Sequence, residues 1–288
     1  MNHINTISTS TLYVVATPIG NLRDISFRAL DILSAVDIIA AEDTRTTARL
    51  LTHYSIAKKM MALHQHNERA MAAKVTNLLT QGKSIALVTD AGTPGISDPG
   101  GALVKLVRDQ GHKVIPIPGA NAAICALSAS GIVMPHFLFY GFLPANSGPR
   151  KRELEALKPQ ANTLVFYEAP HRILECVADL ADVLGMHRQI TIARELTKVF
   201  ETIHSCALHD ARAWLQAEPN RQKGEFVLLV SGAGVQDEGN VSDSARRTLT
   251  LLLEELPLKQ AVKLAAAIAG ESKNTLYALA LALKGGAK

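Results

Sequence analysis

The 288-residue chain is poor in aromatics (5%), with one Trp, and has only three cysteines and no long apolar run. Each absence excludes something. At 48% hydrophobic and 19% charged residues the composition is that of an ordinary globular protein, which excludes a disordered, collagen-like or disulfide-stapled chain. No apolar stretch approaches the roughly 18 residues a bilayer span requires. The richest, Ala261 to Leu283, is broken by Lys263, Glu271, Lys273 and Asn274. Residues Met1 to Ser10 carry no basic cluster ahead of an apolar core, so no signal peptide is expected and the cytoplasm is the expected compartment. Cys125, Cys176 and Cys206 are odd in number and far apart, and are expected to be free, mostly buried thiols. Neither G-x-G-x-x-G after the first strand nor G-x-x-x-x-G-K-[ST] occurs, which disfavours a redox dinucleotide enzyme and a P-loop NTPase. His64 and His66 are near neighbours, but no H-E-x-x-H or Cys/His ligand spacing appears, so no metal is expected.

What is present is an alternation of short apolar strands and helices. Strands are expected at Leu12–Ala16, Asp37–Ala41, Lys59–Leu63, Ser84–Thr89 and Lys113–Ile117. Asp24, Asn67 and the pair Asp98-Pro99 are placed at helix starts between them. Near-continuous apolar strands, each followed by a helix, imply an α/β fold with a parallel sheet covered on both faces. Phe137–Gly141 is expected to close this first unit, and the Pro-, Gly- and charge-rich run Leu143 to Arg152 to follow a boundary. The expected organisation is an N-terminal α/β domain over 1–141 and a second over 142–231 with a mixed sheet. A linker and helical tail cover 232–288, with Gly232 to Gly239 as the linker and Gly270 ending the tail's second helix. Net charge divides as +3, −2 and +3 over 1–141, 142–241 and 242–288, which permits an anionic partner without demanding one.

Three Gly/Pro-rich segments fall at the carboxyl ends of strands, where open α/β sheets bind ligands. They are Thr17 to Asn21, Asp90 to Gly100, and Pro116 to Asn121. Glycine permits close backbone approach and proline stiffens the turn, so such loops can present main-chain groups to a small ligand. A single one is best read as a tight turn; three in one positional class favour a ligand site. Polar clusters sit at other strand ends: Glu42-Asp43-Thr44-Arg45, then Glu168, His171 and Arg172, then Arg194 and Lys198. Asp43 also reads as a helix N-cap, which leaves Glu42 and Arg45 as candidates for proton transfer or anion contact.

The ordered runs LYVVATPIGNLRDIS, AAEDTRTT, DAGTPGISDPG, PIPGANAAICALSASG, GFLP, VFYEAPHR and RELTKVFE resemble the tetrapyrrole-methylase superfamily of S-adenosylmethionine-dependent methyltransferases (class III) over about residues 11–231. Within it, the resemblance is to the branch that methylates a cytidine 2′-oxygen in the decoding region of 16S ribosomal RNA, and the terminal helices resemble that branch's helix-turn-helix-like tail. Tetrapyrrole-acting members have G-x-G-x-G-D after the first strand. This chain has Thr17 to Asn21 there, which argues against a porphyrinoid substrate.

The resemblance implies two α/β domains with S-adenosylmethionine in a cleft between them. It implies cofactor contacts from Pro18, Asp90, Ala91, Gly92, Thr93, Ile96, Asn121, Ala122, Tyr167, Glu168, Ala193 and Gly224. It also implies a homodimer and 16S rRNA, or the small ribosomal subunit, as partner. Glu42 or Asp43 is the expected proton acceptor, with Arg45 on an adjacent phosphate, because a ribose hydroxyl is a poor nucleophile until it loses its proton. Arg150, Lys151, Arg152, Arg172, Arg194 and Lys198 are expected to hold RNA, together with Arg246, Arg247, Lys259, Lys263 and Lys273 in the tail. Two other readings stand beside this one: a small-molecule methyltransferase on the same fold, and a non-catalytic RNA-binding assembly factor.

Overall fold

The computed structural model describes residues 7–64, 67–133, 136–233, 243–269 and 271–285. The described residues up to Leu157, together with Thr163–Val230, form one compact unit; Lys158–Asn162 and the described residues from Ser231 onward form a second.

The first unit opens with a run of strands and helices: β1 (Thr11–Val15), α1 (Phe27–Ala35), β2 (Ile38–Ala41), α2 (Thr44–His53), β3 (Lys59–Ala62), α3 (Glu68–Thr80), β4 (Ile85–Val88), α4 (Gly101–Asp109), β5 (Lys113–Ile117) and α5 (Ala122–Ala129). The strands form one sheet in the order β3-β2-β4-β1-β5. Every pairing in it is parallel. Successive strand residues face opposite ways, and both faces are apolar. On one, Ile32, Leu33 and Leu51 of α1 and α2 cover Tyr13, Val15 and Ile39. On the other, Val75, Leu79, Leu103 and Val107 of α3 and α4 cover Leu12, Ile85 and Leu87. All strand carboxyl ends therefore lie along one edge, and the three Gly/Pro loops with them.

A second sheet follows, with β6 (Phe137–Phe142), α6 (Ser147–Leu157), β7 (Thr163–Glu168), α7 (Ile173–Leu184), β8 (Gln189–Arg194), β9 (Thr202–Ala207), α8 (Leu208–Ala217) and β10 (Phe226–Val230). Its order is β6-β7-β10-β8-β9. Only β6–β7 is parallel, so this sheet is mixed as expected. The segment expected to close the first sheet is instead the edge strand β6 of the second. Leu138 and Tyr140 pack into the core beneath α6, α7 and α8, and Phe139 packs on the opposite face with α5. That opposite face explains why the two sheets form one unit: Ala123 and Ala126 of α5 lie against Val165, Ala193, Val227 and Leu229.

Two expected helix caps are replaced. The first helix is capped by Ser26, whose side chain accepts the Ala29 N–H, and Asp24 lies in a short preceding turn. Helix α4 begins after Gly100, not at Asp98-Pro99. Its first N–H groups are served from outside: Glu68 Oε1 accepts from Gly100 (3.0 Å), Ala102 (2.9 Å) and Leu103 (3.1 Å). A carboxylate on a helix N-terminus is favoured by both hydrogen bonding and the macrodipole. Replacing Glu68 by Ala is expected to cost about 1–2 kcal/mol, by analogy with lost N-caps, read as a lowered midpoint in urea unfolding; an unchanged midpoint would remove this cap from the account.

The second unit holds three helices, α9 (Asp243–Glu255), α10 (Leu258–Ala269) and α11 (Lys273–Gly285), around Leu249, Ala261, Val262, Ala265, Leu276 and Ala280. Pro257 stands between the first two, as expected. Most of the linker from Gly232 to Gly239, and Gly270 as a helix stop, lie outside the described residues.

Candidate functional site

The three loops are tied to one another. Thr17 and Gly92 exchange backbone hydrogen bonds (2.8 and 3.0 Å), joining the first loop to the second. Thr17 Oγ1 donates to the Thr89 carbonyl at 3.1 Å. Thr93 Oγ1 donates to the Ala120 carbonyl at 3.1 Å, joining the second to the third. The first loop is also fixed to the second sheet. The Asn21 N–H donates to Thr197 Oγ1 at 3.1 Å, and a Cβ on Gly20 would lie 2.6 Å from Lys198 Cγ. From the other side, Tyr167 Oη of β7 accepts the Ala123 N–H at 3.2 Å. Its ring stands edge-on to Phe139 and Phe142, and burial raises the pKa of its hydroxyl.

These loops and the ends of β7 and β10 enclose a cavity of about 350 Å³, within the range of small-ligand sites. Of the residues expected to meet a cofactor, Ala91, Gly92, Thr93, Ile96, Asn121, Ala122, Tyr167 and Glu168 line it. Pro18 is buried in the loop behind the lining residue Ile19, and Ala193 lies beside Val227, which does line it. Asp90 and Gly224 also fall outside the lining, although Ala91 and Glu225 are in it. Asp90 accepts the Asp43 N–H at 3.2 Å and its own N–H donates to Glu42 at 3.3 Å. Gly224 has φ +93° and packs where a Cβ would run into Glu195. Asn121 does double service: it caps α5 by accepting the Ile124 N–H and lines the cavity.

Ile19, Ser97 and Asp98, from the flagged loops, also line the cavity, as do Phe142, Ala169, Pro170, Leu196, Glu225, Phe226 and Val227, none of which was expected to meet the cofactor. Most come from the second sheet, and no local pattern says which of its strands approaches the first. Asp98 was obscured because a helix cap accounted for it. Glu168 contributes through its position at the end of β7. Its buried carboxylate is paired with Arg172, and Oε1 also accepts the Ala169 N–H at 2.7 Å, which fixes the turn into Pro170.

The expected catalytic cluster separates into unlike parts. Asp43 caps α2 and is gripped by the Arg45 guanidinium, whose hydrogen bonds hold its pKa down to about 2. A carboxylate so stabilised is a poor proton acceptor, and an Arg45 so engaged is not free for a phosphate. Glu42 is half-buried, and burial pushes its pKa up. None of the three lines the cavity.

Several expected RNA contacts are internal. Arg150 is fully buried, with Nε donating to Asp179 at 2.7 Å and Nη1 to the Ala145 carbonyl at 3.0 Å. It is a structural ion pair and cannot meet a phosphate. Arg194 is buried, donating to the carbonyls of Lys223 and Phe200, and Arg172 is held by Glu168. The strand-end positions of Arg194 and Arg172 suggested phosphate contacts, but the first is buried and the second is occupied by its pair with Glu168. Lys198 is partly exposed but bound between Glu195 and Glu225, and Lys151 pairs with Asp182. Arg152 is exposed. In the second unit Arg246, Arg247, Lys259, Lys263 and Lys273 are all exposed. Among the described residues, no group of three or more His, Cys, Asp or Glu converges as a metal site, and no helix is long and apolar enough to cross a membrane.

A doubly covered parallel sheet joined to a mixed sheet, with a loop-built cavity at the join, is the architecture of one methylase class. The model of the tetrapyrrole (corrin/porphyrin) methylases matches residues 11–212, and the chain belongs to that family. A second model, described as the RsmI C-terminal HTH domain, matches residues 239–284. Relatives named "Ribosomal RNA small subunit methyltransferase I" include that of Escherichia coli O157:H7, 50% identical over 96% of this chain and 97% of its own length. Another, from Pseudomonas aeruginosa, is 49% identical over 97% and 99%. Among solved structures, a cobalt precorrin-4 methyltransferase of cobalamin biosynthesis shares the fold at TM-score 0.60 and 14% identity, over 77% of this chain and 95% of that one. A uroporphyrin-III C-methyltransferase from Thermus thermophilus, complexed with S-adenosylhomocysteine, shares it at TM-score 0.55 and 14% identity, over 76% and 96%.

Proposed function

We propose that this chain is an S-adenosylmethionine-dependent methyltransferase that methylates the 2′-oxygen of a cytidine ribose in the decoding region of 16S rRNA. The observation that carries the cofactor is the cavity. Its three loops are those flagged by composition, it is of nucleoside size, and it combines main-chain groups with the apolar walls of Ile19, Phe142, Tyr167 and Leu196. Those residues fit a folded sulfonium nucleoside, and the relatives' shared name supports the rRNA substrate. When bound, that cofactor supplies an activated methyl group on a positively charged sulfur.

The chain's part is to orient the acceptor, exclude water and take a proton. Alignment of the reacting atoms alone can supply about 7–11 kcal/mol of barrier reduction in favourable cases. The Thr17–Gly92 and Thr93–Ala120 bonds and the Tyr167–Ala123 bond hold the cavity walls in fixed register. A base within hydrogen-bond reach of the hydroxyl then completes the requirement.

Of the cations expected to hold RNA, Arg152 and those of the tail are the exposed ones left to meet phosphates. Changing Arg246, Arg247, Lys259, Lys263 and Lys273 together to Glu is expected to weaken 16S rRNA binding at least tenfold and flatten its salt dependence, with calorimetric S-adenosylmethionine affinity unchanged. Equal rRNA affinity would remove the tail from substrate binding. Exposed apolar Val199, Phe200 and Ile203 near edge strand β9 support a homodimer, which sedimentation equilibrium tests. The cytoplasm, where ribosomal subunits are, is the matching compartment.

The substrate is tested by supplying labelled S-adenosylmethionine with small ribosomal subunits, naked 16S rRNA or uroporphyrinogen. Label recovered as 2′-O-methylcytidine supports the proposal; label in the tetrapyrrole alone overturns it.

A further inference from the structure

Within the site just proposed, and resting on that reading, one group remains without a role. The turn Ser97-Asp98-Pro99 has the sequence of a helix start, yet Asp98 caps nothing. Glu68, from α3, takes the N–H groups of Gly100, Ala102 and Leu103 instead. Asp98 lines the cavity instead, and its charge acts on the hydroxyl of Tyr167, another lining residue. Among the described residues Asp98 has no hydrogen-bond or ion-pair partner. The turn that presents it is held in a costly conformation. Ser97 adopts φ +64°, a region disfavoured for residues other than glycine. Gly141 of β6 packs so closely that a Cβ there would lie 2.7 Å from Ser97 Oγ. A strained residue, an imported cap and an unpartnered carboxylate in one turn are not what helix stability alone selects. Strain of this kind clusters at functional sites.

The neighbouring carboxylates are less suited to proton transfer: of those that line the cavity, Glu168 is paired with Arg172 and Glu225 with Lys198. Asp43 is gripped by Arg45 and lies outside the lining. Glu42 also lies outside it, with Oε2 accepting the Asp90 N–H. The charged groups that act on Asp98 are Glu42, at the end of β2, and Asp90, after β4. The Tyr167 hydroxyl of β7 feels its charge in turn.

We infer that Asp98 is the catalytic base, its carboxylate receiving the proton of the ribose 2′-hydroxyl as that oxygen attacks the methyl carbon. The balance is closed. The O–H bond breaks and its proton passes to an Asp98 oxygen. The freed oxygen pair forms the O–CH₃ bond, and the S–CH₃ bond of the sulfonium donor breaks with its pair remaining on sulfur. Burial first, and then the charges of Glu42 and Asp90, push the Asp98 carboxyl up to about 6. It is thus mostly ionised at neutral pH and a stronger base than an ordinary aspartate, as a general base should be.

The test compares the full-length wild type with Asp98→Asn in three measurements. Methyl transfer to small ribosomal subunits is followed from pH 5 to 9, S-adenosylmethionine affinity is measured by calorimetry, and melting temperature is recorded across the same pH range and down to pH 4. In the wild type kcat/KM is expected to rise with pH through a midpoint near 6. Asp98→Asn is expected to abolish that rise and to lower kcat by about 10²–10⁴-fold, with cofactor affinity changed by less than about threefold.

The melting curves carry a sign of their own. A carboxyl whose pKa is raised by folding favours the folded state while protonated, so that contribution is lost as pH climbs from about 4 through 6. Asn keeps the neutral form. The variant should therefore match the wild type at pH 4 and melt a few degrees higher at pH 8, which also reports that it is folded. Asp98→Glu, which keeps the charge, should retain the pH-dependent rise.

Near-normal kcat with the inflection intact in Asp98→Asn overturns the inference. So does an affinity loss of tenfold or more with kcat unchanged at saturation, which would make the carboxylate a counter-charge for the sulfonium. A wild type that transfers no methyl to ribosomal subunits overturns the functional reading itself, and the base assignment with it; a wild type that does so leaves the fate of Asp98 to the variants.

Discussion

Replacing Arg150 by alanine is expected to cost about 3–5 kcal/mol of stability, the range for stripping one partner from a buried ion pair. In a unit of this size that lowers the melting temperature on the order of 10 °C. Nothing of Arg150 reaches solvent. Its guanidinium neutralises Asp179 at 2.7 Å and holds the Pro144 and Ala145 carbonyls at 3.4 and 3.0 Å. That pins the segment leaving β6 to helices α6 and α7. Asp179 also accepts from Ser147 Oγ at 3.0 Å and lies 3.6 Å from Lys151 Nζ, so the truncated protein keeps a buried carboxylate with only these weaker partners. The double change Arg150→Met with Asp179→Leu should recover most of the loss, because an apolar pair of similar volume leaves no charge behind. Thermal unfolding followed by circular dichroism reads both. A single variant within about 1 °C of wild type would show the pair to be incidental. Neither variant should change rRNA affinity once folded, which separates this reading from the phosphate contact that the sequence suggested.

Ala122→Phe is expected to weaken S-adenosylmethionine binding by at least about 100-fold, or ~2.7 kcal/mol. Ala122 opens α5 and lines the cavity while remaining partly exposed, so a phenyl ring fills ligand space without invading the core. Calorimetry measures the affinity and the melting temperature should stay near that of the wild type. Affinity within threefold of wild type would place the donor elsewhere.

Most of the first sheet could be read in the sequence, for a physical reason. Strands such as Ile85–Val88 are buried on both faces, so they are apolar throughout, and the helices after β1, β2 and β5 carry their own caps in Ser26, Asp43 and Asn121. The three loops could be read for the same reason, since glycine and proline mark backbone conformation directly. Packing was less accessible. Phe137–Phe142 looks like any apolar strand, and only the match of Leu138 and Tyr140 to the second core decides which sheet it joins. Arg150, Arg172 and Arg194 have the composition of a phosphate-binding surface; Arg150 and Arg194 are buried on partners 29 residues distant, and Arg172 is held by a partner 4 residues distant. Asp98 reads as a cap in its local sequence because the residue that displaces it, Glu68, lies on another helix. Apart from the local Arg172–Glu168 pair, the missing information was a contact between elements remote in sequence.

On the proposed function, the cavity bounded by the three loops and the end of β7 is the methyl donor's site. A crystal structure of the full chain grown with S-adenosylmethionine tests it most directly. Donor density is expected against Gly92, Ala122 and Tyr167, with the methyl group turned towards Asp98. Density for the donor at any other place, with these loops unchanged and the cavity holding only solvent, would contradict it.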